Sequence, residues 1–144
     1  MISAMIKIAV DFDGTIVEHC YPNIGKVKLF AFETLKELQK KGYILILWTV
    51  RTGKELEDAV EFCRNNGVEF YAVNKNYPEE IVDESAPRKI EADIFIDDRN
   101  LGGFPGWSEV WQILFPDLKM AELENKAVKK LQKQKSTNRF FWKK

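Results

Sequence analysis

The sequence predicts an α/β fold, a three-layer sandwich in which a parallel sheet lies between helices. Short apolar segments rich in β-branched residues alternate with segments whose apolar residues recur at helical spacing. Acidic or hydroxyl side chains directly follow several apolar segments, and this is typical of the carboxyl ends of buried parallel strands. The chain has 144 residues, 45% of them hydrophobic, which suits one domain with a sizeable core.

The first half of the chain predicts a strand, a helix and a second strand. Residues 6–10 form the first predicted strand, and residues 31–38 carry apolar side chains at helical spacing. Two lysines and Gly42 then suit the last turn and the cap of that helix. Residues 43–48 form the second predicted strand, which completes a βαβ unit.

A second helix is predicted to begin after Thr52. Thr52 and Glu55 have the spacing of a capping box, and the turn formers of residues 65–67 end the helix. Cys63 continues the apolar stripe of this helix, so we expect it to be a core residue. The only other cysteine, Cys20, forms neither a metal-binding spacing nor a disulfide framework with it.

The second half of the chain predicts two more strands and another helix. Residues 70–73 and 93–96 read as strands, separated by a long connection that contains prolines and acidic residues. Residues 107–114 keep helical spacing after a glycine-rich loop. Because all the predicted strands are parallel, their carboxyl ends should meet at one edge of the sheet.

The most informative residues are Asp11 and Asp13, which end the first strand and precede Gly14-Thr15. Asp-Gly is a common turn dipeptide, but an ordinary turn does not account for Asp11, which is costly to bury. Two carboxylates this close repel each other unless a cation joins them. The pattern therefore indicates a site where one carboxylate attacks and the other handles protons.

An apolar strand followed by Asp-x-Asp-Gly-Thr resembles the first motif of the haloacid dehalogenase superfamily, mostly magnesium-dependent phosphatases with a Rossmann-like sheet. The resemblance implies that Asp11 is the nucleophile and that Asp13 is the general acid and base. It also implies that the backbone carbonyl of Asp13 helps to hold Mg²⁺ and that Gly14 contributes to phosphate binding.

The remaining motifs of this superfamily are found in order. Thr49, which ends the second strand, resembles the second motif and would bind phosphate through its hydroxyl group and nearby amides. Lys89 is assigned to the third motif, with Lys75 and Arg88 as alternatives. An acidic pair after the last strand resembles the fourth motif, in which Asp97 would bind Mg²⁺ directly together with Asp11, and Asp98 would orient a metal-bound water.

The implied function is a cytoplasmic, magnesium-dependent phosphatase that acts through an aspartyl-phosphate. Too few residues separate the motifs for a cap domain, so we expect an open site with either a bulky or macromolecular phosphate ester as substrate or a lid supplied by another subunit. Arg51 and Arg99 follow two motifs and, with His19, are candidate substrate contacts; the arginines favour a polynucleotide or nucleotide end phosphatase as an alternative. A non-catalytic phosphate-binding or partner-binding module is the alternative of another class.

Charge divides the chain into two parts. Residues 1–125 contain 14 Lys and Arg and all 22 Asp and Glu, a net charge of −8, whereas residues 126–144 contain 8 basic residues and no acidic one. We therefore expect a catalytic core over residues 1–116 and a C-terminal amphipathic helix with a basic aromatic tail over residues 117–144.

The aromatic residues Phe140, Phe141 and Trp142 are expected to be buried, either on the acidic core or in a homo-oligomer. Nucleic acid is a weaker expectation for the tail, because the core is acidic. No segment resembles a transmembrane helix or a secretory signal, so no membrane partner is expected.

Overall fold

The computed structural model describes residues 5–141, which fold around a four-stranded parallel sheet with the strand order β3-β2-β1-β4. The α/β prediction is confirmed. In chain order, the elements are β1 (Lys7–Val10), α1 (Ala31–Lys40), β2 (Ile44–Leu47), α2 (Gly53–Asn65), β3 (Ala72–Val73), β4 (Ile94–Ile96), α3 (Trp107–Leu114) and α4 (Met120–Phe141).

The register of the sheet brings the strand ends level. Val10 at the end of β1 lies opposite Leu47 of β2 and Ile96 of β4. The pairing continues one residue further, because the amide of Asp11 donates to the carbonyl oxygen of Ile96 at 3.0 Å. The residues that follow β1, β2 and β4 therefore begin at the same edge of the sheet, as the sequence predicts.

The two faces of the sheet are covered differently. One face packs against all four helices in a single core cluster, to which Phe32, Cys63, Trp111 and Leu123 each contribute from a different helix. The opposite face has a smaller cluster whose buried members are Ala9, Ile46, Ala72 and Ile90. Ile90 belongs to the connection between β3 and β4, so this connection forms the third layer of the sandwich.

The predicted capping box at the start of α2 is wrong. Thr52 makes no side-chain hydrogen bond to the helix, although its carbonyl oxygen accepts the amide of Leu56. The reason is local: Gly53, the first helical residue, has a φ of 56°. A left-handed residue directly after Thr52 does not give the backbone path of a capping box.

Cys63 and β3 were both predicted from the sequence, and the structure tests each prediction. Cys63 is buried as expected, and burial raises the pKa of its thiol to about 12, so it is an inert core residue. β3 is shorter than predicted, with only two paired residues at the edge of the sheet.

α4 contradicts one of the two alternatives expected for the C-terminal aromatic residues, burial on the acidic core. The helix is continuous from Met120 to Phe141, and its first half packs through Leu123 against the core. Phe140 and Phe141 are not buried on the acidic core: their exposed fractions are 78% and 81%. Both lie beyond the part of α4 that reaches α1, while Trp142 lies outside the described residues. None of the described helices is long and apolar enough to cross a membrane.

Candidate functional site

Three carboxylates converge where β1 and β4 end. Asp11, Asp97 and Asp98 each offer an oxygen atom, and these atoms lie within 4.8 Å of one another. All three residues are partly buried. Carboxylate oxygens are the ligands that Mg²⁺ prefers, so the donor set fits a hard divalent cation. The structure thus brings together three of the four acidic residues that sequence analysis assigned to the metal.

Thr15 holds this cluster together, although sequence analysis gave it no role beyond the motif. Its hydroxyl group donates to Asp11 Oδ2 at 2.9 Å and accepts the amide of Asp98 at 3.1 Å. Its carbonyl oxygen accepts the indole N–H of Trp107 at 2.7 Å, so α3 supports the same residue. Thr15 is fully buried. The sequence signal that could have predicted this contact is the spacing of four residues between Asp11 and Thr15.

Asp11 is the carboxylate with the most perturbed acidity. Burial and the nearby charge of Asp97 raise the pKa of Asp11 to about 7, against the lowering effect of the hydrogen bond from Thr15. Partial burial also acts to raise the pKa of Asp98, but its hydrogen bonds with His19 and Asp11 outweigh this effect and lower it. Over residues 5–141, His19 is the only basic side chain that pairs with these carboxylates, so a bound cation would relieve the repulsion among them.

Asp13 lies in a different environment from Asp11. Its side chain is buried, and both of its oxygens accept hydrogen bonds from Arg51, with Nε to Oδ2 and Nη2 to Oδ1 each at 2.7 Å. The pair is a bidentate arginine–carboxylate contact. The side chain of Asp13 is therefore not part of the metal cluster, and only its backbone carbonyl remains a candidate ligand.

Arg51 corrects the prediction of a substrate contact. It is fully buried, between the aromatic rings of Phe12 and Tyr21. Its N–H groups that do not face Asp13 donate to backbone carbonyls at 2.8 to 3.3 Å, those of Pro22, Asn23 and Glu55. All five N–H donors are thereby used within the protein, so Arg51 positions Asp13 and the β1–α1 connection instead.

The β1–α1 connection forms a small flap that carries His19 over the cluster. The flap doubles back on itself, with Val17 paired to Val27. The Nε2 atom of His19 lies 2.8 Å from Asp98 Oδ2, and the imidazole remains 54% exposed. From the sequence, His19 was a candidate substrate contact, and its pairing with Asp98, 79 residues away, could not be foreseen.

Gly14 lies beneath the His19–Asp98 pair. Its φ is 85°, and a Cβ atom there would be 2.3 Å from Asp98 Oδ2 and 2.5 Å from His19 Nε2. Its amide donates to the carbonyl oxygen of Val17, so it is not free for the predicted phosphate contact. Gly14 instead allows the pair to approach the backbone closely.

Thr49 lies at the predicted edge, but its amide is already used. Asn74, directly after β3, accepts the amide of Thr49 through its side-chain oxygen at 2.8 Å. The hydroxyl oxygen of Thr49 accepts the amide of Arg51 at 3.2 Å, which leaves the hydroxyl proton for a ligand. Asn74 was missed by sequence analysis, although a polar residue after a strand was the signal used at the other strand ends.

Lys89, which was assigned to the third motif, lies near an aromatic side chain of β4. The ammonium group of Lys89 lies 5.3 Å from the ring centre of Phe95, on the sheet face covered by the β3–β4 connection. Over residues 5–141, Lys75, Arg88, Lys89 and Arg99 make no ion pair with the three clustered carboxylates. Arg99 is exposed next to Asp97, whose Oδ1 accepts its amide.

The fold and the clustered carboxylates define an α/β protein with a candidate cation site at the carboxyl edge of a parallel sheet. Among solved structures, a conserved protein from Bacteroides thetaiotaomicron is 53% identical in sequence, with a TM-score of 0.73. The match covers 81% of this chain and 95% of that one, and the chain belongs to the same family as that protein. No protein-family model matches the sequence, and a comparison with curated proteins finds no match.

Proposed function

We propose that the protein is a magnesium-dependent phosphomonoester hydrolase of the haloacid dehalogenase type, which acts through an aspartyl-phosphate. One observation carries the proposal. Asp11 lies at the end of β1, is hydrogen-bonded by buried Thr15, and shares a cluster of oxygen atoms within 4.8 Å with Asp97 and Asp98. A nucleophilic carboxylate needs to be held and oriented in this way beside a site for a cation.

The residues that would hold Mg²⁺ are Asp11 and Asp97, together with the backbone carbonyl of Asp13, while Asp98 would orient a water of the ion. Mg²⁺ uses only one or two carboxylates and otherwise takes waters and phosphate oxygens. When bound, it would neutralise the repulsion between these carboxylates and a phosphate dianion. The hydroxyl group of Thr49 would donate to a phosphate oxygen at the neighbouring strand end.

In the proposed chemistry, a carboxylate oxygen of Asp11 attacks phosphorus in line. The bond from phosphorus to the leaving oxygen breaks as the Asp11–phosphorus bond forms, and Asp13 protonates the leaving oxygen. Asp13 then accepts a proton from the water that attacks the aspartyl-phosphate, and phosphate and free Asp11 result. To hold a proton, Asp13 must turn at least one oxygen away from Arg51.

The Asp13–Arg51 pair also favours a second candidate function. Because both oxygens of Asp13 are bonded to a buried arginine, the structure is compatible with a module that binds a metal ion and phosphate without turnover. The polynucleotide end phosphatase is supported less, since Arg51 is buried and only Arg99 of the two arginines remains exposed.

The test is hydrolysis of p-nitrophenyl phosphate and of 3′- and 5′-phosphorylated oligonucleotides, with Mg²⁺ and with a chelator. We expect turnover only with Mg²⁺, and a loss of at least about 1,000-fold in Asp11→Asn, since nothing replaces a nucleophile. Asp117→Asn is the matched control, because this exposed aspartate lies outside the cluster; its activity should stay within about twofold.

The outcomes separate the candidates. Equal rates in chelator, or an active Asp11→Asn variant, would contradict the proposed mechanism. Mg²⁺ binding, measured by calorimetry, without turnover of any tested ester would favour the binding module. A preference for phosphorylated oligonucleotides of more than about tenfold over p-nitrophenyl phosphate would support the end phosphatase.

A further inference from the structure

The two halves of α4 differ in their contacts. In the first half, Leu123 is buried, Lys126 pairs with Glu37 at 3.1 Å, and Lys130 lies 5.4 Å from the ring centre of Phe32. From Leu131 to Phe141 every residue is exposed. A helical segment of this length has little stability alone, so its helicity depends on the packed first half. Residues 131–141 are called the basic arm below.

The basic arm combines positive charge with aromatic surface. Lys133, Lys135 and Arg139 are exposed and, over residues 5–141, make no ion pair. Phe140 and Phe141 are exposed at its end. No acidic residue follows Glu124 in the sequence. The complementary surface is therefore one that carries carboxylates next to apolar side chains.

The same chain carries such a surface in residues 76–87, called the acidic loop below. This part of the β3–β4 connection contains Glu79, Glu80, Asp83 and Glu84 but no basic residue. Ile81 and Val82 lie between these carboxylates, and their exposed fractions are 87% and 57%. These two adjacent aliphatic side chains provide apolar surface that a partner's apolar side chains can bury.

The acidic loop has a defined shape. Asn76 fixes the base of the loop. The backbone amide and the side-chain amide of Asn76 donate to the two carboxylate oxygens of Glu80, and the side-chain oxygen of Asn76 accepts the backbone amide of Glu91. Glu79 is exposed on a turn that the hydrogen bond from the Glu80 amide to the Tyr77 carbonyl closes, and Glu84 is exposed on a second turn, closed by the hydrogen bond from the Ala86 amide to the Asp83 carbonyl. A shaped loop loses less conformational freedom on binding than a flexible one does.

The basic arm and the acidic loop of one molecule belong to different elements of the fold. α4 packs on the helical layer, where it contacts α1 and α3. The β3–β4 connection covers the other face through Ile90. Over residues 5–141, no ion pair joins the arm to the loop of the same chain, so both surfaces remain open to a second copy.

We propose that the basic arm of one copy docks on the acidic loop of a second copy. Charge complementarity selects this partner over a nucleic acid, because residues 1–125 carry a net charge of −8 and repel a polyanion. The arm's lysines and arginine face the loop's carboxylates, while Phe140 and Phe141 pack on Ile81 and Val82. The inference is independent of the proposed hydrolase function.

The test uses two charge-reversal variants of the full chain. The arm variant is Lys133→Glu/Arg139→Glu, and the loop variant is Glu79→Lys/Glu84→Lys. Masses are measured by sedimentation velocity from about 5 to 200 μM at low and high salt. We expect the wild type to exceed the monomer mass of 16.8 kDa with rising concentration and to dissociate in high salt. Each variant alone should associate at least about tenfold more weakly.

A mixture of the two variants provides the decisive measurement. The acidic arm of one then meets the basic loop of the other, and the unchanged arm and loop also match, so association should return in the equimolar mixture. Lys40→Glu/Lys41→Glu, with the same change in charge at the end of α1, should associate as the wild type does.

Three outcomes would overturn the proposal. The first is a wild-type protein that stays at the monomer mass at every concentration. The second is a mixture that remains monomeric although circular dichroism shows both variants folded. The third is a monomer whose basic arm binds a single-stranded oligonucleotide, with binding lost in the arm variant, which would assign the arm to nucleic acid.

Discussion

Asp11 and Asp13 are two residues apart, but their carboxylates have opposite electrostatic surroundings. Asp13 is buried against Arg51, which satisfies both of its oxygens. Asp11 is partly buried beside Asp97 and Asp98, and its pKa is raised to about 7. One carboxylate is thus fully compensated by the fold, while the other is left with like charges around it.

This difference shows that burial alone does not define a reactive carboxylate. Asp13 is the more buried of the two, but its charge is matched by a guanidinium group in bidentate geometry. Asp11 retains an unfavourable charge, which a cation or a proton relieves. The experiments below test these two environments, beginning with the larger expected effect on stability.

Removal of Arg51 should have the largest effect. Arg51→Met leaves the carboxylate of Asp13 buried without a partner, which costs about 3–5 kcal/mol in the free energy of unfolding. Arg64→Met is the matched control, because Arg64 pairs with Glu61 on the surface of α2 and both side chains are about half exposed. Its cost should be at most about 1 kcal/mol. Urea denaturation measures both.

A double variant refines this prediction. Asp13→Leu/Arg51→Met removes both charges, so it should recover about 1–2 kcal/mol of the loss, although three backbone carbonyls still lack their donor. Equal losses in Arg51→Met and Arg64→Met would show that the Asp13–Arg51 pair is not the compensated environment inferred here.

Asp11→Asn should stabilise the metal-free protein above pH 7. The pKa of Asp11 is about 7 in the native state and 3.8 in the unfolded chain, so native stability falls as pH rises between these values. Asparagine cannot ionise and avoids this cost. After allowance for solvent at a partly open site, we expect a gain of about 1–2 kcal/mol at pH 8, or roughly 3–6 °C in Tm.

The pH dependence provides the control for this effect. The gain should shrink as pH falls and should be absent near pH 4, where wild-type Asp11 is protonated in the native state. Exposed Asp117→Asn should leave Tm within about 1 °C at both pH values. If Asp11→Asn is no more stable than the wild type at pH 8 in the presence of a chelator, ionised Asp11 does not destabilise the native state, and the prediction is wrong.

His19→Gln should have the smallest effect. The His19–Asp98 contact is half open to solvent on the histidine side, and exposed pairs contribute about 0–1 kcal/mol. We expect the unfolding free energy to change by less than about 0.5 kcal/mol and turnover of p-nitrophenyl phosphate by less than about fivefold. A loss of activity comparable to that of Asp11→Asn would make His19 a catalytic residue.

The sequence by itself determined the sheet and the position of the acidic cluster. Apolar strands alternating with amphipathic helices predict parallel strands, and parallel strands bring Asp11 and Asp97 to one edge. The strands and helices follow from local sequence patterns, and their arrangement follows from the general rule that strands connected through helices are parallel. For this reason α1 and α3 begin and end close to where they were predicted.

Only the tertiary structure decided what each site side chain contacts. The pairing of Asp13 with Arg51 spans 38 residues, and that of His19 with Asp98 spans 79. The sequence showed charged residues near the motifs, but whether a charge faces solvent, a ligand or a buried partner depends on how the flap and helices pack. The exposure of the second half of α4 has the same cause: a helical pattern predicts the helix, while the extent of the core determines where its packing stops.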